Sequence, residues 1–129
     1  MPILDLTDAP VTATSYGRWQ ALNAPLGLTA FGINAMVCDP GEAIDTAHDE
    51  TDSGQQEVYV VVAGRVEFTL GGEAAEACAG TIVAAPDPSV PRSFRPLEPG
   101  TRVICIGAAP GDAAPGFGEW IADAAVGGG

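Results

Sequence analysis

The single histidine of this chain, His48, stands two residues before Glu50, and Glu57 stands two residues before Tyr59. Alternate side chains of an extended strand share a face, so His48 and Glu50 point one way, as do Glu57 and Tyr59. Pairing the two stretches as a hairpin would gather an imidazole, two carboxylates and a phenol in one interior. Two chemistries are then open. Imidazole nitrogen and carboxylate oxygen are ordinary ligands for Fe, Mn, Ni or Zn, which makes His48, Glu50 and Glu57 a candidate metal set. Without a metal the same groups form an acid–base site in which His48 and Glu57 share protons. A third reading is a solvated loop, because residues 39–52 hold six acids (Asp39, Glu42, Asp45, Asp49, Glu50 and Asp52).

Other residues point elsewhere. Cys38, Cys78 and Cys105 are odd in number and contain no CxxC pair, so they read as buried, reduced thiols. A cysteine nucleophile would need His48 as its base. Trp19, Phe31 and Trp120 are expected in core packing, with a barrel mouth or dimer surface as the alternative. Arg18 and Arg102 read as surface charges. No P-loop, GxGxxG, GxSxG or HExxH is present, so nucleotide chemistry and serine or zinc hydrolysis have no support.

The elements that must position these groups are strands. Of 129 residues, 17 are Gly and 11 are Pro, a density of turn formers that suits short strands rather than long helices. Gly27–Cys38 is β-compatible and stops at Asp39-Pro40-Gly41. Val58–Val62 is an unbroken β-rich run, after which Val66, Phe68 and Leu70 alternate with Arg65, Glu67 and Thr69. Further strands are expected at Thr81–Ala85, Arg92–Arg95 and Arg102–Ile106, separated by Pro and Gly turns. Helix is expected only at Ala122–Val126. An aromatic knot, Phe117 to Ile121, is expected to dock on the body, with Gly127–Gly129 frayed. Strands recurring every eight to twelve residues indicate one all-β antiparallel sandwich or barrel.

Two spacings give that barrel a family resemblance. Gly41 to Gly64 contains His48, Glu50 and Glu57, and it closes on Glu57-x6-Gly64; Gly80-x5-Pro86 begins a second pattern that continues through Val90-Pro91-Arg92. Together they resemble the two motifs of the cupin superfamily, Gly-x5-His-x-His-x(3,4)-Glu-x6-Gly and Gly-x5-Pro-x-Gly-x2-His-x3-Asn. The resemblance implies a single-domain cupin-like jelly-roll β-barrel over residues 27–107. Residues 1–26 would form an N-terminal extension with a first strand, and 108–129 a tail packed on the barrel. It also implies a metal held by three histidines and a glutamate, from which this chain departs. Glu50 stands in the second histidine's place, a longer loop through Ser53-Gly54-Gln55 precedes Glu57, and Pro88 replaces a glycine. The strict count puts the last histidine on Pro91, and we assign that position to Arg92.

The assignment to Arg92 has a chemical consequence. Guanidinium has five donors and no lone pair, so it cannot ligate a cation. Pointing inward, Arg92 would bridge Glu50 or Glu57 bidentately and occupy electrostatically the place of a dication. The expectation is therefore a small-molecule enzyme with no metal cofactor, carrying out isomerisation, elimination, cyclisation or decarboxylation on a polar or carboxylate-bearing substrate. His48, Glu57 and Glu50 would be catalytic, and Arg92 and Tyr59 would bind substrate. The alternatives are a non-catalytic ligand-binding or sensing module, and a metal-dependent oxygenase or isomerase built on His48, Glu50 and Glu57. Seventeen acids against five arginines and no lysine give a net charge of −12, which disfavours nucleic acid and anionic membranes as partners. The absence of a leader-like or membrane-spanning run leads to a cytoplasmic expectation. An open sheet edge leads to a homodimer.

Overall fold

The computed structural model describes residues 1–14, 17–41 and 47–110. The expected aromatic knot, the C-terminal helix and the frayed glycines lie outside the described residues. Among the described residues, nine strands and one four-residue helix are arranged as β1 (Thr12–Thr14), β2 (Gly17–Ala21), α1 (Asn23–Leu26), β3 (Gly32–Cys38), β4 (Gln56–Ala63), β5 (Arg65–Leu70), β6 (Glu73–Cys78), β7 (Ile82–Ala85), β8 (Arg92–Pro96) and β9 (Thr101–Ala108). All pairings are antiparallel, in one sheet ordered β1-β2-β3-β9-β4-β7 and another ordered β6-β5-β8. The fold is an all-β jelly roll. Among the described residues no helix is long and apolar enough to cross a membrane.

Period-two patterning explains how the sheets face each other. Along β9 the burial alternates without a break, sending Thr101, Val103, Cys105 and Gly107 inward. The inner face of the large sheet supplies Met36, Cys38, Tyr59, Val61, Val103 and Cys105, and the small sheet supplies Val66, Phe68, Ala77 and Phe94. Tyr59, Phe68 and Phe94 form a ring cluster with centroids 5.3–5.6 Å apart, in tilted geometries that suit the aromatic quadrupole. On the outer face, Leu4, Leu6 and Ala9 cover Leu22, Ile33, Ala35 and Ile104. Buried Gln20 ties that segment down by donating to the carbonyls of Leu6 (2.6 Å) and Ala9 (3.1 Å).

Four expectations change here. The strand expected to begin at Gly27 begins at Gly32, because Asn23–Leu26 form a helical turn ended by Gly27 at φ 69°. The N-terminal 26 residues hold two strands rather than one, and β2 pairs with β3 inside the large sheet. β6 was not expected at all, since Glu73-Ala-Ala-Glu-Ala-Cys buries only Ala77; backbone pairing with β5 makes it a strand. Cys38 and Cys105 are buried as expected, but Cys78, at the end of this edge strand, is exposed.

Candidate active site

Glu57 and Tyr59 occupy inward positions of β4, and Tyr59 lies opposite Cys105 of β9. The expected hairpin between the His48 and Glu57 segments does not form. His48 instead makes an antiparallel bridge with Arg92, through His48 N–H to the Arg92 carbonyl (3.1 Å) and Arg92 N–H to the His48 carbonyl (2.8 Å). Glu50 N–H then donates to the Pro88 carbonyl at 2.8 Å. The 47–50 segment is thus held by the 88–92 segment, and His48 and Glu50 reach Glu57 from across the cup. The expected loop is a turn closed by Gly54 N–H on the Glu50 carbonyl, with Gly54 at φ 67°.

All five expected site residues line one cavity of about 460 Å³, together with Trp19, Asn34, Gln55, Ser93, Phe94 and Cys105. A second hollow of about 470 Å³, over Asn23, Phe31 and Gly107, is more open and has no ionisable side chain in its wall. Of the two hollows, the one inside the cup carries the ionisable side chains.

Glu57 is the hub of the floor. Its Oε1 accepts from Arg92 Nη1 (2.9 Å) and Tyr59 Oη (3.0 Å), and its Oε2 accepts from the Cys105 thiol (3.2 Å). Arg92 points inward and is 2% exposed. Its contact with Glu57 is a single hydrogen bond, not the bidentate bridge expected. The fork is instead directed at the backbone: Nε and Nη2 donate to the Val90 carbonyl (3.2 and 2.9 Å), and Nη2 also donates to the Asp87 carbonyl (2.9 Å). At least four of the five N–H donors are taken, so Arg92 clamps the 87–92 turn to Glu57 and is poorly placed to hold a substrate carboxylate. Burial, reinforced by the Glu57 charge, pushes the Tyr59 hydroxyl and the Cys105 thiol far above their ordinary values. Both keep their protons and stay donors to Glu57.

The rim differs. His48 Nε2 lies 3.3 Å from Glu50 Oε1, with side-chain exposures of 54% and 22%, whereas the Arg92–Glu57 pair has 2% and 11%. Ser53 Oγ donates to Glu50 Oε2 at 2.8 Å and fixes the carboxylate. The neighbouring Asp49 and Asp87 are held below the usual carboxylate range by hydrogen bonds from Thr51 and Ser89. Tyr59 combines the two roles weighed for it, ring packing and hydrogen bonding. Cys105, Asn34 and Ser53 had not been expected at the site. The inward register of Val103 carries Cys105 with it, and that of Met36 carries Asn34; these alternations were the available signal.

The donor set can be tested against a metal. Single ligand atoms of His48, Glu50 and Glu57 lie within 4.8 Å of one another. Both Glu57 oxygens, however, already accept hydrogen bonds, and the fixed guanidinium on Oε1 would repel a dication at short range. Of the three, Glu57 is therefore the least available toward a cation.

No family model matches the chain, and no curated protein matches it either. Solved structures do. KdgF from Halomonas sp. is 20% identical with a TM-score of 0.66, over 80% of this chain and 88% of that one. A sugar phosphate isomerase from a cupin superfamily, from Silicibacter pomeroyi, is 18% identical with a TM-score of 0.67, over 83% and 75%. A cupin 2 conserved barrel domain protein from Salinispora arenicola is 19% identical with a TM-score of 0.66, over 87% and 92%. At these identities the likeness is one of fold. With two facing antiparallel sheets and between them a cavity lined by charged and aromatic side chains, this chain has the fold of the cupin superfamily.

Proposed function

We propose that this protein is a small-molecule enzyme that moves a proton within its substrate, in an isomerase, lyase or cyclase type of reaction, without a metal. His48 carries the proton, Glu50 orients and charge-balances the imidazole, and the Glu57–Tyr59–Arg92–Cys105 cluster is a rigid polar floor. The observation that carries this reading is the His48–Glu50 contact of 3.3 Å at a partly open rim above a floor whose own carboxylate is already engaged. A proton carrier must reach both substrate and solvent, and the half-exposed His48 meets that need better than Glu57 does. The expected pairing of His48 with Glu57 thus gives way to His48 with Glu50. The Silicibacter pomeroyi structure is described as a sugar phosphate isomerase, which supports isomerisation as a reaction class for this fold.

The test begins with a thermal-shift screen of sugars, hydroxy acids, amino compounds and enolisable ketones, since a ligand raises apparent stability. Any hit is then incubated with the enzyme in D2O and its C–H exchange followed by NMR. Wild type should catalyse exchange or turnover, and His48→Ala and Glu50→Gln should each slow it by about 10²–10⁴-fold. Chelators should leave the rate unchanged. Full activity in both variants would remove the catalytic assignment, and ligand binding without exchange would replace the enzyme with a binding module. A rate that requires added Fe, Mn, Ni or Zn would overturn the metal-free mechanism.

A further inference from the structure

The charge inventory of the cup restricts what it can hold. The chain has five arginines and no lysine, and of these Arg92 alone lines the cavity. Arg18, Arg65 and Arg95 are paired with Asp39, with Glu76 and Glu98, and with Glu67. Arg102 alternates with the inward Thr101 and Val103, on the outer face of β9. The charge of Arg92 is set against Glu57, and at most one of its N–H groups remains for a ligand. Glu50 is a second carboxylate, whose partners are His48 and a neutral serine hydroxyl. No arginine is paired with Glu50, so the cavity has two carboxylates and one guanidinium.

The carboxylates of the wall are not saturated. An ionised carboxylate offers about four lone-pair sites. Three donors occupy Glu57, and Glu50 accepts from Ser53 beside its contact with His48, so both retain acceptor capacity toward the cavity. Trp19, Tyr59 and Phe94 also line the cavity, and an aromatic ring attracts a cation through its quadrupole. Asp49 and Asp87, on the rim segments, stay ionised under their hydrogen bonds from Thr51 and Ser89 and add to the negative field.

We propose that the cavity selects a small organic cation of the amine type, its ammonium donating toward Glu50 and its carbon frame against the aromatic wall, and that it rejects carboxylates and phosphates. This deepens the reading of the cup as a small-molecule site by naming the ligand class.

Three size-matched, unreactive probes test it: cyclohexylammonium, cyclohexanol and cyclohexanecarboxylate, titrated into the full chain at pH 8 by calorimetry or ligand-observed NMR. The ammonium should bind about tenfold or more tighter than the other two, and less tightly at high salt. Glu50→Gln should remove several-fold of that advantage while leaving cyclohexanol unchanged. Equal or tighter binding of the carboxylate or the alcohol would overturn the proposal, as would saturable ammonium binding indifferent to Glu50→Gln, or no ammonium binding at tens of millimolar. The wild-type charge order alone decides if Glu50→Gln fails to fold. Because the probes do not react, their order is separable from the D2O exchange that tests catalysis.

Discussion

Tyr59 and Cys105 both direct their protons at Glu57, and burial keeps them from giving those protons up. This has a consequence for stability. In the unfolded chain a thiol titrates near 9.0 and a phenol near 10.0, whereas in the folded cup both are pushed well above those values. As pH rises, the unfolded chain loses these protons first and the native state binds more, so unfolding becomes easier with pH. The stabilising effect is complete below about pH 9 and is lost progressively above it. We expect the urea midpoint to hold from pH 7 to 8.5 and to fall by pH 10.5. Cys105→Ser and Tyr59→Phe should each flatten part of that fall; unaltered slopes in both would mean that neither group is held neutral by the fold. The same cluster shows what sequence could convey at this scale. His48, Glu50, Glu57 and Tyr59 were legible because i, i+2 spacing brings side chains to one face, and Arg92 because the second motif of the family resemblance points to its position. The donor from Cys105 was not, because it lies 48 residues from Glu57 and depends on the β4–β9 register.

Elements meet where glycine permits close approach. Gly64 links β4 to β5 at φ +78°, and a Cβ built on it would run into Thr101 Oγ1 and come within 2.7 Å of Thr101 Cα. Thr101 cannot yield easily, since it is fully buried and its hydroxyl donates to the Glu98 carbonyl at 2.6 Å. Gly72 also has a positive φ, +99°, but nothing lies within 4 Å of its Cβ position. The two sites separate backbone strain from steric conflict. Gly72→Ala should lower unfolding free energy by about 1 kcal/mol, and Gly64→Ala by about 2–4 kcal/mol, measured by urea denaturation. Equal losses would show that packing against β9 does not constrain the hairpin. Such hairpins were readable locally, since Val58–Val62, Gly64 and the alternation to Leu70 are contiguous. The His48–Arg92 bridge was not, because two short segments 44 residues apart pair with no local signal, and a nearby hairpin with β4 was the cheaper guess. β6 escaped for a related reason: an edge strand with one buried residue needs no hydrophobic alternation.

At the scale of the whole molecule, the net charge of −12 works against compaction, because every described arginine ion pair leaves many acids uncompensated. Salt then acts in two opposed directions. It weakens the exposed pairs of Arg18, Arg65 and Arg95, each worth about 0–1 kcal/mol. It also screens repulsion among the excess acids, as the Debye length falls from about 30 Å at 0.01 M to about 8 Å at 0.15 M. The Arg92–Glu57 pair, at 2% and 11% exposure, is largely sheltered from either effect. With 17 acids against five cations the repulsive contacts outnumber the attractive ones, so screening should win. We expect Tm to rise by about 3–6 °C between 10 and 150 mM NaCl, followed by calorimetry at pH 7.5, the equivalent of roughly 1 kcal/mol for a domain of this size. A Tm that stays level or falls would mean that the surface pairs outweigh the repulsion, and that the acidic excess is locally compensated.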